Sequence, residues 1–461
     1  MNPEVLRVCE AVREAGGRAM LVGGSVRDSL FGIEPKDFDI EVFGLDPDRL
    51  RRLLEPIAKV NTVGEHFAVY KLFFDREGEA EPTGRFEIDV SLPRRESKSG
   101  RGHRGFLIEG DPSMTFEEAA RRRDFTINAV LMDPINGEII DPFGGRDDMQ
   151  RRVLRAVTAD TFVEDSLRVL RAVQLAARFG LTVESQTADL CRSIDLGDLP
   201  RERVWGEVEK LLVLADRPSL GLDVAFELGV LDKLFPEIRA LVKSDGDAIT
   251  APFAMTKRAL DEASKLSRDL PREQRLTVML AALCAGLGGE SLDVAAQQSD
   301  RVDKAVTLLK RLGVHTLGGL DARSRILEIV KEKATPERLY RNRERVTDGD
   351  FRRLARRVDI GLLYLTAKAW ALARDTEAPA ACDWFITRAR ALGVEHGPPQ
   401  SILKGRHLLE LGFDPGPGMG EVIRRVYELQ LDGDVTSLDE AVAAAKRVAQ
   451  MTRRTAPPQE S

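Results

Sequence analysis

At 461 residues, 43% of them apolar, the chain is too long for a single compact core and is expected to divide into about two to four domains. A net charge of −6 spread over this length excludes a uniformly basic nucleic-acid coat, so any such contact has to come from local patches. Cys9, Cys191, Cys284 and Cys382 lie far apart without CxxC or Cys/His spacing, which argues against a disulfide framework and structural zinc and for a reducing compartment.

The first element, MNPEVLRVCEAVREAGG, reads as an amphipathic helix ending in glycines and not as a signal peptide. No apolar run approaches the ~18–20 residues that span a bilayer, so the expectation is a cytoplasmic protein with no membrane contact. Strand-like runs follow: AMLV at 19–22, DIEVF at 39–43, FAVYKLFF at 67–74, FEIDVSL at 86–92 and GEIID at 137–141. Beyond residue 150 strand patterns almost vanish, and Leu/Ala/Arg/Glu-rich helical segments alternate with Gly, Pro and Asp breaks. No fixed-period repeat is present, and only the closing TAPPQES reads as disordered.

The densest chemistry lies in LVGGSVRDSLFGIEPKDFDIEVF, residues 21–43. A strand running into Gly23-Gly24 and then a helix lets bare backbone N–H groups approach phosphate oxygens, and Arg27 adds a planar positive fork. In the next strand Asp37 and Asp39 are two apart and share a face. Paired carboxylates need a cation, and an all-oxygen set suits Mg²⁺, which bridges to phosphates. A tight turn followed by an edge strand with two solvated aspartates is the plainer alternative for either motif alone.

GGSVRD followed by KDFDIEV resembles the signature of the class II tRNA nucleotidyltransferases and bacterial poly(A) polymerases, of the polymerase-β-like nucleotidyltransferase superfamily. RRRDFTINAV at 121–130 is similar to that family's RRDFTxNA motif, and EDSLRVLRAVQLAARFG at 164–180 to its EDxxR motif. DPFGGRDDMQRRVLR at 141–155 resembles its flexible connecting motif, and the tail around GFDPGPGMGE resembles the family's tail.

The resemblance implies an α+β protein: a nucleotidyltransferase head of small mixed sheet and helices at 1–145, then an all-α neck at 146–215, body at 216–395 and tail at 396–461. It implies addition of C, C and A to the tRNA 3′ end from CTP and ATP without a template, with Asp37 and Asp39 holding Mg²⁺. Gly23, Gly24 and Arg27 would then face phosphates, and Arg122, Arg123, Asp124 and Asn128 the ribose and phosphates. Asp165 and Arg168 would read the base, and Arg171 would belong to the same nucleotide site. An A-adding or CC-adding specialist, a poly(A) polymerase and an RNA-binding protein without catalysis remain as alternatives.

The residues themselves keep plainer readings open. On a helix face Asp124 and Asn128, four apart, could hydrogen-bond hydroxyls or simply cap a charged helix. TFVE at 161–164 has capping-box form, with Thr161 as N-cap and Glu164 at N3. Asp165 and Arg168 offer acceptor and donors in a plane that matches a base edge, or form a surface ion pair. Asp89 in FEIDVSL is either a third metal carboxylate or a solvent-facing acid.

Arg94, Arg95, Lys98, Arg101 and Arg104 read as a mobile basic loop. RLYRNRERVTDGDFRRLARR at 338–357, with eight arginines against three acids, suits an RNA backbone or is a solvated helix face. Many relatives carry a His-Asp phosphohydrolase domain in the body. Here AALCAGLGG and FAMTKRALDEA put Ala285, Gly286 and Met255 at the ligand positions, and none of these side chains ligates a hard cation, so the scaffold is expected without its hydrolase chemistry.

Overall fold

Asn2 starts the first helix, α1 (Pro3–Glu14), by accepting the Glu4 N–H at 2.8 Å ahead of a proline in the first turn. Val5, Val8, Cys9 and Val12, spaced three and four apart, are fully buried beneath it. The protein is described from a computed structural model covering residues 2–63, 69–74, 86–98, 106–242, 252–288, 294–374 and 379–455. Its contacts divide it into two units, residues 1–215 with 220–235, and 216–219 with 236–461.

The first unit is built on β1 (Arg18–Val22), α2 (Gly24–Leu30), β2 (Phe38–Phe43), α3 (Pro47–Leu54), β3 (Lys59–Val63), β4 (Val69–Phe74) and β5 (Phe86–Ser91). A hairpin of β6 (Arg94–Lys98) and β7 (Phe106–Gly110) follows, then α4 (Phe116–Arg121), β8 (Leu131–Met132) and β9 (Ile139–Ile140). Seven of the strands form one mixed sheet in the order β3-β4-β5-β2-β1-β8-β9, in which only β2 and β5 run parallel. Their register sets Asp39 opposite Asp89, and the β4–β5 register sets Lys71 opposite Asp89. Ile40, Val42, Ile88 and Val90 are fully buried on the other face of β2 and β5.

The chain then forms α5 (Gly145–Gln150), β10 (Val153–Leu154), α6 (Ala159–Phe162), α7 (Leu167–Phe179), β11 (Thr182–Val183), α8 (Ser185–Ser193) and α9 (Arg201–Leu214). Gly180 ends α7 in the left-handed conformation at φ 62°. The strand-poor expectation holds beyond residue 150, where the strands are two-residue pairs.

Three local expectations change. Thr158, not Thr161, caps α6, and that helix ends before Glu164, because the threonine three residues earlier already satisfies the first turn. Asp124 and Asn128 do not share a helix: α4 stops at Arg121, fully buried Phe125 is extended and packs against Phe162, and 126–128 make one 3₁₀ turn. Arg94, Arg95 and Lys98 stand on β6, and Arg101 and Arg104 lie outside the described residues.

The second unit is helical. Helices Pro252–Leu266, Arg272–Cys284 and Ile360–Arg374 pack on one another, and Ala322–Glu332 covers the second of these. Around Gly286 the packing is tight: an added Cβ would lie 2.2 Å from Thr256 Oγ1. Met255, Ala259 and Ala285 pack with Trp370 in the place where the sequence comparison looks for metal ligands. In the tail, Leu408, Val422, Val426, Ala441 and Ala444 form a separate small core.

The arginines of 338–357 are largely engaged within this unit. Arg353 reaches Glu428 and Asp432, Arg356 reaches Glu428, Arg338 and Arg357 reach Glu332, and Arg352 donates to the Leu431 carbonyl. The segment ties helix Asp348–Ala355 to Pro417–Asp432, which its local composition did not indicate.

Candidate active site

Gly23 makes the turn between β1 and α2 at φ 67°, a conformation that side chains rarely adopt. An added Cβ there would lie 2.8 Å from Arg123 Nη1 and 3.9 Å from Asp39 Oδ2, so the glycine also lets the backbone come up to both groups.

Arg27, expected on the phosphates, is 6% exposed and points inward. Its Nε and Nη2 donate to Asp28 Oδ1, its Nη1 donates to Asn128 Oδ1 at 2.9 Å, and its guanidinium lies over the Phe179 ring. Burial pulls its pKa down and Asp28 holds it up. Arg27 therefore braces Asn128 from within the fold.

Asp37 precedes β2 and Asp39 is its second residue, both exposed. Desolvation in the concave wall raises the Asp39 pKa; Arg123 opposes this, Asp89 and Asp37 add to it, and Lys71 opposes it. Asp89 accepts from Lys71 Nζ at 3.0 Å, and the same ammonium holds Glu87. Among the described residues no three acidic, His or Cys side chains are gathered tightly enough to hold a metal. The donors at Asp37, Asp39 and Asp89 are all oxygen, and Asp37 and Asp89 both act on Asp39, which is the donor chemistry a hard divalent cation takes.

Glu41, next on the same face of β2, is 1% exposed. It pairs with Arg122, and its Oε2 lies 3.7 Å from Arg123. Burial pulls the Arg123 pKa down, Glu41 pushes it up, Arg122 pulls it down and Asp39 pushes it up. One buried carboxylate thus anchors two adjacent guanidiniums whose side chains are 22% and 19% exposed. The signal was present in the sequence: Glu41 continues the two-residue period of Asp37 and Asp39.

The 3₁₀ turn carries a chain of bonds. Asn128 Nδ2 donates to Asp124 Oδ1 at 2.9 Å, the Phe125 N–H donates to the same oxygen, and Arg171 Nε donates to Asp124 Oδ2 at 2.5 Å. Burial pushes the Asp124 pKa up, but Arg171 and these hydrogen bonds bring it down to about 2, so the carboxylate is fixed in its charged form.

At the start of α7, Asp165 Oδ1 accepts the Leu167 N–H at 3.1 Å and Oδ2 accepts from Arg203 Nη2 at 2.9 Å. Arg168 donates to the carbonyls of Thr161 and Arg122 at 2.6 and 2.7 Å, which ties α7 to the 121–124 segment. Arg203, from α9, was not singled out in the sequence, because its role depends on a partner 38 residues away.

These groups line one open cleft of about 290 Å³ in the first unit. Gly23, Gly24, Asp39, Arg122, Arg123, Asp124, Asn128, Asp165, Arg168 and Arg171 line it together with Leu167 and Arg203. Arg27, Asp37 and Asp89 are not among its lining residues. The wall is dominated by arginine, with carboxylates confined to Asp39, Asp124 and Asp165, a charge pattern suited to a polyphosphate.

Residues 19–155 match the poly(A) polymerase head domain, and residues 180–241 match the model described as the probable RNA and SrmB-binding site of polymerase A. The multifunctional CCA protein of Xanthomonas campestris pv. campestris (strain B100) is 37% identical over 304 residues, 58% of this chain and 70% of that protein. The Bacillus stearothermophilus CCA-adding enzyme in complex with CTP shares the fold at a TM-score of 0.65 and 21% identity, over 99% of this chain and 100% of that one. The Thermotoga maritima CCA-adding enzyme complexed with tRNA_CCA does so at 0.59 and 20%, over 97% and 96%. With the motifs, the mixed-sheet head and the shared length in agreement, the chain belongs to the family of CCA-adding tRNA nucleotidyltransferases and bacterial poly(A) polymerases.

Proposed function

We propose that the protein adds C, C and A to tRNA 3′ ends from CTP and ATP, releasing pyrophosphate, with Asp37 and Asp39 as the catalytic carboxylates. The observation that carries this reading is the gathering of ten residues from four separate sequence blocks on a single cleft. In the same proposal the chain runs as head 1–145, neck 146–215, body 216–395 and tail 396–461, with RNA contact in the helices beyond the head.

Asp37 and Asp39, with Asp89 once Lys71 releases it, would hold Mg²⁺, which when bound lowers the pKa of the attacking 3′-hydroxyl and offsets charge on the leaving pyrophosphate. The chain's own residues do the rest. Arg122 and Arg123, fixed from behind by Glu41, meet the triphosphate with guanidiniums already oriented, so little ordering is required when the nucleotide enters. The Gly23 turn lets backbone approach the same phosphates. Asp124, charged and held by Asn128 and Arg171, positions the Arg171 guanidinium in the wall. Asp165 and Arg168, clamped by Arg203 and by two carbonyls, present acceptor and donor groups to the base without a nucleic-acid template.

A-adding, CC-adding and poly(A) activities would use the same cleft. The test is a ladder of tRNA transcripts ending before the first C, after C and after CC, each offered CTP or ATP separately. Incorporation of C, C and then A in register supports full CCA addition. Addition confined to one rung would mark a specialist, and runs of A on every transcript would mark a poly(A) polymerase. No incorporation on any rung, with tRNA still bound, would sink catalysis.

A further inference from the structure

The second unit contains a group of cations outside the cleft, around the turn at residues 285–288. Lys333 Nζ lies 4.1 Å from the centroid of the Trp370 ring and 3.4 Å from the Ala285 carbonyl oxygen, a long contact that uses one of its three donors. Arg301 lies against Gly288, where an added Cβ would meet its Nε at 3.0 Å and its Nη2 at 3.3 Å. The Arg301 Nε is buried with no acceptor within reach among the described residues. Arg374 stands one turn after Trp370, with its Nε 3.4 Å from the Trp370 carbonyl oxygen.

Among the described residues the acids nearby are already engaged, and Asp300 also faces Arg301. Glu337 pairs with Arg374 and also lies 3.7 Å from Arg341, and Asp300 pairs with Lys304 at 2.8 Å. The end of helix Arg272–Cys284 contributes about half a negative charge, against Arg301 and, when protonated, Lys333. Burial pulls the Lys333 pKa down to about 7; Arg301 and Arg374 add to this and Glu337 opposes it.

We propose that Arg301 and Lys333, at the 285–288 turn of the helical body, form a binding site for a phosphate group, separate from the nucleotide cleft. A phosphate supplies acceptors that suit both the Arg301 fork and the Lys333 ammonium. Its source is either a free phosphate anion or a phosphate of bound RNA.

Trp370 is the reporter. In the full chain carrying Trp205→Phe and Trp384→Phe, its fluorescence is titrated with inorganic phosphate in EDTA, so that the metal-dependent cleft is silent. We expect a saturable change that persists in Asp39→Ala and weakens about tenfold or more in Arg301→Gln. Arg301→Lys should restore part of it, which separates lost charge from a damaged fold. A tRNA transcript lacking CCA identifies the source: the same change, competed by phosphate, marks an RNA phosphate, and silence with tRNA marks a free anion. No saturable change with either probe, or a change that survives Arg301→Gln together with Lys333→Met, overturns the site.

Discussion

Glu41 is a single buried carboxylate facing two arginines, and its loss should be felt both in stability and at the nucleotide. Removing one partner of a buried pair leaves the other charges without compensation. Arg122 and Arg123 retain about a fifth of their exposure, so the cost falls at the low end of that class, about 3 kcal/mol. Glu41→Gln keeps the shape and removes the charge. In urea unfolding the midpoint should fall without a change in slope, and in steady-state assays KM for CTP and ATP should rise more than kcat falls, since the arginines meet the triphosphate before and during the reaction. Unchanged stability together with an unchanged KM would make Glu41 a spectator.

Between elements, the contact that most directly positions the site is the seating of α5 on the 3₁₀ turn of Asn128. An added Cβ at Gly145 would lie 2.1 Å from the Thr126 carbonyl oxygen and 2.8 Å from Val130 Cγ2, a clash with backbone that no rotamer relieves. Thr126 Oγ1 also donates to Asp148 Oδ2 of α5 at 2.7 Å. Gly145→Ala should displace the turn and lower kcat/KM about 100-fold while the far-UV circular dichroism stays native. Gly206, inside α9 with nothing within 4 Å of its Cβ position, is the control: Gly206→Ala should leave activity alone and stabilise by up to about 1 kcal/mol. Equal effects from both substitutions would remove the positioning argument. The same contrast explains what could be read in advance. β1, β2 and β5 and the two-apart aspartates were legible because two-residue periodicity is local. The inward turn of Arg27, the Asp165–Arg203 pair and the α5 seat depend on partners 19 to 101 residues distant, which no local pattern encodes. The α6 cap was misread because two threonines three residues apart compete for it.

Across the whole molecule the burial of Lys333 in the second unit gives a titration that stability should record. The Lys333 pKa is lowered from 10.5 to about 7, so the folded state loses this proton as pH rises through 7 while the unfolded chain keeps it until about 10.5. Between those values the unfolded state binds more protons and stability rises with pH, by at most about 1.4 kcal/mol per unit. The buried thiols act in the opposite sense: burial pushes Cys9, Cys191 and Cys284 up to about 12 and Cys382 to about 11, so above pH 9 unfolding is favoured by thiolate formation. The clean window is therefore pH 7 to 9, read as the difference between wild type and Lys333→Met, which share the thiols. In phosphate-free buffer the difference should be largest at pH 7, with the variant the more stable, and should shrink toward pH 9. Saturating phosphate, by supplying the missing counter-charge, should shrink it at pH 7 as well. A difference flat across the window would mean that Lys333 keeps an ordinary pKa and that its charge is already balanced within the fold.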